Sequence, residues 1–402
     1  MRSILFKAGM SFKNRRFLGA YKSLEYECDQ AQMLQDIMKF TTKHVPYYSK
    51  FENINELSKF PILTKSDIKQ HYNDFYPDII VPGVPGKTGG STGEPLSYRM
   101  SPIDEITGLA LMYRGWGYAG YQMGDSIAQI AGSSLIPMNR NCISDIKAFI
   151  LNEYRFSSFD LSDEKVINII SKLNSAQPKF VRGYASSLNY IARYMLQHGL
   201  TLVYSPEGIF STAEMLYDDY RRDIEAAFGA KVYNQYGLND GGVSAYECEH
   251  GKMHIDEHRA LMESVDGKII ATGLLNRAFP FIRYDTGDIG YIANAGCTCG
   301  RPGKILTDLM GRSCDFISLP DGTKIHSEFF AHIFWEVPCR KFQVSQDGNV
   351  LMIDIVPWDK PIDTNFITNC IMKRCIGMKL VINLVDKIET RNKTQIIRNL
   401  HG

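Results

Sequence analysis

The sequence lacks any long apolar run, and no stretch approaches the ~18 apolar residues that a membrane-spanning helix needs. Its first sixteen residues, MRSILFKAGMSFKNRR, lack the continuous apolar core of a signal peptide. It also lacks a charge excess, since 45 Lys and Arg face 44 Asp and Glu. Without a net field that would attract nucleic acid or an anionic membrane, we expect a soluble cytoplasmic protein in which any phosphate-binding site is local.

Cysteine is present but gives no sign of a disulfide framework. Nine cysteines, an odd number, are scattered over 402 residues without a secretory signal, which favours reduced thiols or metal ligands. The composition, 44% hydrophobic and 22% charged, is that of a folded globular chain. Because single cores stop growing at roughly 250–300 residues, the length predicts one large domain and at least one smaller domain.

Hydrophobic periodicity predicts an α/β fold with this division. A helical lead-in occupies residues 1–75, and a β-rich subdomain follows from about 251 to 311. Between them, short apolar runs alternate with longer helical patterns, which is typical of parallel strands with crossover helices. The predicted domains are therefore a large one over 1–311 and a small α+β one over 312–402. The predicted strands of the middle region lie at residues 126–130, 180–182, 208–210 and 231–233.

Two glycine motifs resemble nucleotide-binding signatures but lie in the wrong context. Gly115–Gly120 matches GxGxxG, yet a helical pattern precedes it and an apolar strand follows, the reverse of the dinucleotide-binding order. Gly86-Lys87-Thr88 resembles the end of a P-loop, but the first glycine of that motif would fall on Val81. Neither motif supports a standard dinucleotide or P-loop site.

The strongest phosphate-binding candidate is the segment Thr88–Pro95, TGGSTGEP. Its three glycines allow successive backbone N–H groups to converge, and three hydroxyls add donors for phosphate oxygens. The alternative is a flexible Ser- and Gly-rich surface loop. Further segments decide between the two readings, and they are HVPYY (44–48), FPILTK (60–65), RGYASSL (182–188), NQYG (234–237), FPFIRYDTGD (279–288), CTCGR (297–301) and GR (311–312).

Together these segments resemble the adenylate-forming superfamily, and within it the phenylacetate–CoA ligase-like, capsule-biosynthesis branch. They occur in family order over nearly the whole chain. The resemblance implies a large adenylate-forming domain of mixed sheets with crossover helices, followed by a small, mobile α+β domain. It also implies activation of a carboxylic acid by ATP and Mg²⁺ to an acyl-adenylate, with acyl transfer to a nucleophile.

The resemblance also implies a nucleotide site, residue by residue. Asn234 and the ring of Tyr236 would hold adenine, with Gly237 and Asn239 in the same segment, and Asp240 would bind Mg²⁺ where the family has glutamate. Aspartate keeps a hard oxygen ligand for the metal. Asp288 would accept hydrogen bonds from both ribose hydroxyls, supported by Arg312. The residues that would wrap the β- and γ-phosphates of ATP are Thr88, Gly89, Gly90, Ser91, Thr92 and Gly93.

Near the C-terminus, the same resemblance identifies Lys393 as the catalytic lysine. Its cation would bridge the substrate carboxylate and the α-phosphate as negative charge moves between them. The family's preceding glycine is Asn392 here, and the usual acidic pivot between the domains is Cys314. The alternative is that Lys393 only solvates a terminal tail. The residues that would border the acyl pocket are Tyr184, Ser186, Ser187 and Ser211.

A separate group of cysteines and histidines predicts a structural zinc site. Two thiolates separated by one residue, Cys297 and Cys299, can bind one zinc ion, and a second pair from a distant segment would complete four ligands. Cys248 and His254 are the best second pair, and His250 competes for the nitrogen position. The alternative is a set of reduced thiols and histidines that are neighbours in sequence only.

Three functional hypotheses follow. The leading one is an AMP-forming acid–thiol ligase, whose acceptor is most simply coenzyme A; a carrier-protein thiol or a sugar amine is the alternative. The second is a nucleotide-binding regulatory or scaffold protein without catalysis, motivated by Asp240, Asn392 and Cys314. The third is a dinucleotide oxidoreductase, which depends on the match at Gly115–Gly120 alone.

Overall fold

The computed structural model describes residues 15–24, 28–88, 96–132, 142–158, 161–294, 296–312, 316–358, 361–388 and 396–399. Its helices are α1 Arg15–Ser23, α2 Gln30–His44, α3 Lys65–Gln70, α4 Pro102–Gly117, α5 Cys142–Ile150, α6 Asp163–Ala176, α7 Ala185–Gln197, α8 Asp218–Phe228, α9 Ser327–Trp335 and α10 Thr364–Met372. Short 3₁₀ helices lie at Pro46–Phe51, Leu57–Lys59 and Tyr72–Phe75.

The strands form four sheets. They are β1 Val84–Lys87, β2 Ser97–Met100, β3 Ile127–Ala131, β4 Glu153–Ser157, β5 Phe180–Tyr184, β6 Gly208–Thr212, β7 Val232–Gly237, β8 Ser244–Glu247, β9 Met253–Ile255, β10 Ala260–Val265, β11 Lys268–Gly273, β12 Tyr284–Ala293, β13 Ile305–Arg312, β14 Phe316–Ser318, β15 Lys324–His326, β16 Cys339–Asp347, β17 Val350–Pro357, β18 Lys379–Leu384 and β19 Ile397–Asn399.

The largest sheet has eleven strands in the order β10-β11-β12-β13-β9-β8-β7-β6-β5-β3-β4. The β4, β3, β5, β6 and β7 strands run parallel, which confirms the predicted parallel strands with crossover helices. From β7 to β10 the pairing is antiparallel, and β9 to β13 of this half lie in the region predicted to be β-rich. The carboxyl ends of β5, β6 and β7 therefore meet at one edge, next to the antiparallel half of the sheet.

Helices cover both faces of the parallel strands. On one face, α6, α7 and α8 bury an aliphatic core that includes Leu173, Ile191 and Ile224. On the other face, α1 and α4 pack on an aromatic core in which Trp116 stacks on Phe210. Local signals set the limits of these helices: Ser162 caps α6, Gln177 ends it in the left-handed region, and Gly229 ends α8 in the same way.

The GxGxxG motif begins in the last turn of α4 and precedes β3, so the helix comes before the strand. The sequence-based rejection of a dinucleotide fingerprint is therefore confirmed for this segment. Gly115 instead allows close packing, because a Cβ there would lie 2.2 Å from the ring of Tyr246. This glycine brings α4 against β8.

The helical lead-in is joined to the β-rich region by backbone hydrogen bonds. Leu63 N–H donates to the carbonyl of Arg283 at 2.8 Å, and Asp285 N–H donates to the carbonyl of Leu63 at 2.9 Å. Immediately after Leu63, Thr64 and Asp67 form a capping box that starts α3, as the Thr64 cap predicted. The FPILTK motif is thereby fixed beside the segment that carries YDTGD.

The last described strands form a separate four-stranded sheet in the order β18-β17-β16-β19, with α9 and α10 packed on it. This part contacts the large sheet's helices through Arg340, which forms two hydrogen bonds to Asp163 at 2.7 and 3.0 Å. Arg340 also lies over the ring of Trp358, which stacks on Tyr190 of α7. The division at residues 311 and 312 remains a prediction; β13 of the large sheet ends at Arg312.

Among the described residues, no helix combines the length and the apolarity that crossing a membrane would require.

Candidate active site

The candidate site is built on the carboxyl ends of the central parallel strands. In the register of the sheet, Ser211 of β6 pairs with Gly183 of β5 and with Asn234 of β7. The next row contains Tyr184 and Thr212, also at strand ends. Ligands of open α/β sheets bind in the crevice outside such ends, so the RGYASSL and NQYG segments lie where a ligand site is expected.

Three residues predicted to contact the nucleotide lie together beside this edge. The Tyr236 hydroxyl donates to Asp288 Oδ2 at 2.9 Å, and Arg312 Nε lies 3.6 Å from Asp288 Oδ1. Burial, and then the neighbouring Asp288 carboxylate, raise the pKa of Tyr236 well above its ordinary value. Tyr236 is therefore a neutral donor, and the pairing of β12 with β13, which aligns Asp288 with Arg312, holds the two charged groups in register.

The predicted magnesium ligand Asp240 is buried next to this group. Its Oδ2 accepts a hydrogen bond from the Tyr284 hydroxyl at 3.2 Å. Burial raises the pKa of Asp240, and the cations of Arg312 and Lys65 act against that rise. A buried carboxylate that faces two cations is suited to a ligand in which a divalent cation and phosphates arrive together.

The residue before Asp240, Asn239, lies against a buried ion pair. Arg259 donates to both oxygens of Asp104, at 2.8 and 2.9 Å, and its two terminal nitrogens each lie 3.4 Å from Asn239 Oδ1. The side-chain oxygen of Asn239 is therefore engaged within the protein. Gly108 of α4 leaves room for the guanidinium, because a Cβ at that position would lie 2.7 Å from Nη1.

Asn234 is held mainly through its backbone. Its N–H donates to Glu247 Oε2 at 2.7 Å, and Glu247 in turn accepts from Arg221 Nη2 at 2.8 Å. Its Oδ1 accepts from the N–H of Gln235 at 2.9 Å. Its Oδ1 is thus engaged within the protein, and its side-chain NH₂ is the group that can donate to a ligand.

The residues predicted to border the acyl pocket surround the start of α7. Tyr184, Ser187 and Ser211 are buried, and the Ser186 N–H donates to Glu214 Oε2 at 3.0 Å. The Glu214 carboxylate therefore lies at the N-terminus of a 13-residue helix, where negative charge is favourable. Ser211 Oγ has no hydrogen-bond partner among the described residues, so this hydroxyl can bind an added polar group.

Part of the predicted site lies outside the described residues. Gly89, Gly90, Ser91, Thr92 and Gly93 lie there, as do Lys393, Asn392 and Cys314. Thr88 is described: its N–H donates to the Leu96 carbonyl, and its Oγ1 accepts from the Leu96 N–H, both at 2.9 Å. The two ends of the phosphate-loop segment are thus joined at the tip of the antiparallel β1 and β2 pair.

The predicted metal ligands converge. The ligand atoms of Cys248, His254, Cys297 and Cys299 all lie within 4.8 Å of one another. Cys248 Sγ is 3.8 Å from Cys297 Sγ, and Cys299 Sγ is 3.3 Å from His254 Nε2. The competing His250 is engaged elsewhere, with Nδ1 2.5 Å from the Thr298 hydroxyl.

The electrostatics of His254 and Cys299 also suit a metal, whereas, against a backbone hydrogen bond, burial and the neighbouring thiols raise the pKa of Cys297. Burial, and then the Arg301 cation, lower the pKa of His254, which keeps its imidazole neutral. Although burial opposes it, hydrogen bonds from Arg301 lower the pKa of Cys299. The His250 N–H points to Cys248 Sγ at 3.4 Å, as a donor to a thiolate would. A neutral imidazole and thiolates are the protonation states that bind zinc.

Sequence reasoning missed several residues of the candidate site. Tyr284 and Lys65 lie within the motifs FPFIRYDTGD and FPILTK, but the sequence alone assigns neither a role. Asp104 and Arg259 were not singled out at all, because they are separated by 155 positions and match no short motif. The available signal was Asp104 itself, an acidic residue among the buried, mostly apolar positions of α4. A buried carboxylate needs a partner, so its position predicts a basic residue nearby in the fold.

The chain is similar to known proteins in both sequence and fold. No protein-family model matches it. Its sequence is similar to Protein CapK of Staphylococcus aureus, 28% identical over 279 residues, with 64% of this chain and 61% of CapK covered. The chain thus spans less than two thirds of the length of CapK. It is also similar to phenylacetate-coenzyme A ligase of Thermus thermophilus, 23% identical over 324 residues, covering 72% of this chain and 70% of that enzyme.

Among solved structures, the fold matches 2-hydroxyisobutyryl-CoA ligase in the postadenylation state in complex with R3-HIB-AMP. The TM-score is 0.70 at 16% sequence identity, and the match covers 92% of this chain and 89% of that structure. The predicted fold is thereby confirmed over nearly the whole chain.

Proposed function

We propose that this chain, a phenylacetate–CoA ligase-like protein of the adenylate-forming superfamily, uses ATP to convert a carboxylic acid into an acyl-adenylate and transfers the acyl group to coenzyme A. The first half-reaction joins the acid's carboxylate oxygen to the α-phosphorus of ATP and releases pyrophosphate. In the second, the CoA thiol takes the acyl group and AMP leaves. The sequence relatives and the acyl-CoA ligase fold support this reaction class.

The observation that carries the proposal is the grouping of Tyr236, Asp288 and Arg312 beside the carboxyl ends of the parallel strands. A carboxylate that accepts from a neutral phenol and faces a guanidinium can accept further hydrogen bonds from two adjacent ribose hydroxyls. The ring of Tyr236 offers a face for adenine. Asn234 lies two residues before Tyr236 on β7, is held by its backbone N–H, and offers its side-chain amide as the donor.

Magnesium would be held by Asp240 together with phosphate oxygens of ATP. The carboxylate is a hard oxygen ligand, and Mg²⁺ in nucleotide sites is usually bound by one or two carboxylates and substrate phosphates. The metal would withdraw charge from the phosphates as pyrophosphate leaves. Lys65 and Arg312, which both act on Asp240, would balance the remaining negative charge.

The catalytic lysine is assigned by sequence resemblance to Lys393. Its cation would stabilise the charge that moves from the acid's carboxylate to the α-phosphate. We test the proposal by acid-dependent exchange of pyrophosphate into ATP, screened over aryl-acetic, short-chain and hydroxy acids. Exchange that is lost in Lys393→Ala, with ATP binding retained, is the expected result; ATP binding without exchange for any acid would favour a non-catalytic nucleotide-binding protein.

We also propose that Cys248, His254, Cys297 and Cys299 hold a structural zinc ion. In a tetrahedral site with Zn–S bonds of about 2.3 Å, two sulfurs lie about 3.8 Å apart, and a sulfur and a nitrogen about 3.5 Å apart. The observed separations of 3.8 and 3.3 Å fit these values. Four protein ligands leave no open position, so the ion would join β9 to the 297–299 segment and take no part in catalysis.

A further inference from the structure

The face of the parallel sheet that packs against α4 contains a guanidinium with no ion-pair partner among the described carboxylates. Arg182 lies in the middle of β5 and is 8% exposed. Its Cζ lies 5.3 Å from the ring of Trp116, and its one hydrogen bond in the described chain is a long one, 3.4 Å from Nη1 to Gln129 Oε1. Arg182 Nε has no hydrogen-bond partner among those residues.

Nearby acidic groups do not supply the missing partner. Glu153 acts on Arg182 from a distance, but its own Oε2 accepts two hydrogen bonds from Arg155, at 3.0 and 2.6 Å. Burial consequently lowers the pKa of Arg182. A buried charge without an ion-pair partner is unfavourable, and proteins keep such groups where a ligand completes the pairing.

Further polar groups on the same side of the sheet also lack partners. Gln235 Oε1, on a side chain 7% exposed, and Trp116 Nε1 have no hydrogen bond within the described residues. Gln235 pairs with Tyr246 across β7 and β8, and Tyr246 acts electrostatically on Arg182. Because few buried polar groups of a native protein are unsatisfied, these two groups and Arg182 Nε, all on one side of the sheet, indicate a place that a polar ligand occupies.

The position of this group relates it to the candidate active site. Gln235 lies between Asn234 and Tyr236, which the proposed function assigns to adenine. Arg182 precedes the Tyr184–Ser187 segment at the acyl side of the same strand ends. Because side chains alternate along a strand, Arg182 shares a face of the sheet with Tyr184 and Gln235, one register row before Ser211 and Asn234, which point to the opposite face. The guanidinium therefore lies on the Tyr184 side of these strand ends.

We propose that Arg182 binds a second carboxylate of the acid, so that the preferred substrates are dicarboxylic acids activated at one end only. This inference rests on the proposed function. The planar guanidinium matches a carboxylate through two parallel hydrogen bonds, and Nε, which is free, belongs to one of the edges that form such pairs. Gln129 supplies an amide group beside it.

The test compares acids matched in size that differ only in the second carboxylate. Pyrophosphate exchange is measured with succinic and butyric, glutaric and valeric, and 2-carboxyphenylacetic and phenylacetic acids. A charge-assisted pair predicts a kcat/KM about 10- to 100-fold higher for one dicarboxylic acid than for its match. Arg182→Met should abolish that preference while retaining exchange with the monocarboxylic acid. Arg222→Gln, which removes an exposed guanidinium from α8, should retain the preference.

Stability separates this role from a structural one. With no acid bound, Arg182→Met should unfold at the wild-type temperature or above it, because an apolar side chain replaces an unpaired buried charge. A dicarboxylic acid added to ATP·Mg²⁺ should raise the unfolding temperature of the wild type above its value with ATP·Mg²⁺ alone, and should give no such further rise in Arg182→Met. A preference for dicarboxylic acids that survives Arg182→Met, or monocarboxylic acids that are preferred by the wild type, would overturn the proposal.

The two proposals fail differently. If no acid supports exchange, the proposed function fails, and thermal stabilisation by the same dicarboxylic acids, which needs no turnover, still decides the role of Arg182. If exchange occurs but neither the acid preference nor the stabilisation depends on Arg182, the adenylation reaction stands and the second-carboxylate site is refuted.

Discussion

The buried pair of Asp104 and Arg259 should control both stability and the geometry around Asp240. The two side chains are 2% and 4% exposed, so neither charge is solvated when its partner is removed. Arg259→Met leaves the Asp104 carboxylate buried without an ion pair, which typically costs about 3–5 kcal/mol of unfolding free energy. At roughly 2 °C per kcal/mol for a domain of this size, the unfolding temperature should fall by about 6–10 °C.

Differential scanning fluorimetry with three variants tests this reasoning. Asp104→Leu combined with Arg259→Met should recover most of the loss, since no unpaired charge remains. Exchange activity should stay low in that double variant, because Asn239 has lost the guanidinium beside Asp240. Arg222→Gln, an exposed arginine, should lie within about 0.5 kcal/mol of the wild type.

Gly108→Ala examines the same pair from the helix side. Alanine at an interior helix position normally stabilises by about 1 kcal/mol relative to glycine. Here the new Cβ would lie 2.7 Å from Arg259 Nη1, so the buried guanidinium must shift and weaken its two hydrogen bonds to Asp104, and the variant should be less stable than the wild type. A stabilised Gly108→Ala, or an Arg259→Met that unfolds within about 1 °C of the wild type, would refute the reasoning.

Three further predictions concern other parts of the chain. Metal analysis should find one zinc ion per wild-type chain and none in Cys299→Ser. Equal zinc contents of the wild type and the variant would exclude the site. Asp67→Ala should cost about 1 kcal/mol at neutral pH. Hydrogen bonds from Thr64 lower the pKa of Asp67, so that cost should vanish as the pH falls through the lowered pKa, and a pH-independent cost would contradict it. A double-mutant cycle on the half-exposed Arg340–Asp163 pair should give a coupling below about 1 kcal/mol.

The parallel half of the sheet was predictable because its signals are local. Buried parallel strands are short apolar runs, and the runs at 180–182, 208–210 and 231–233 became β5, β6 and β7. The helix cap at Thr64 and the wrong order around Gly115–Gly120 depend only on neighbouring residues, and both were confirmed. The resemblance to a known family supplied the rest of the architecture.

The contacts within the site were less predictable, because they join distant positions without a fixed spacing. No pattern relates Asp104 to Arg259, and only folding brings α4 against the turn that precedes β10. The unpaired state of Arg182 is a property of its surroundings, since the sequence shows only an arginine in an apolar run. The four proposed metal ligands were predictable as residue types, whereas the contact that engages His250 elsewhere required the position of Thr298.

The most direct measurement of the central claim is a rapid-quench analysis of enzyme, ATP·Mg²⁺ and an accepted acid, with the products identified by mass spectrometry. We predict that acyl-AMP accumulates to about one equivalent per enzyme when CoA is absent. On addition of CoA it should disappear as acyl-CoA and AMP form in equal amounts, and Asp288→Ala should form it slowly. Release of ADP, or bound ATP that never yields acyl-AMP with any acid, would contradict adenylation at this site.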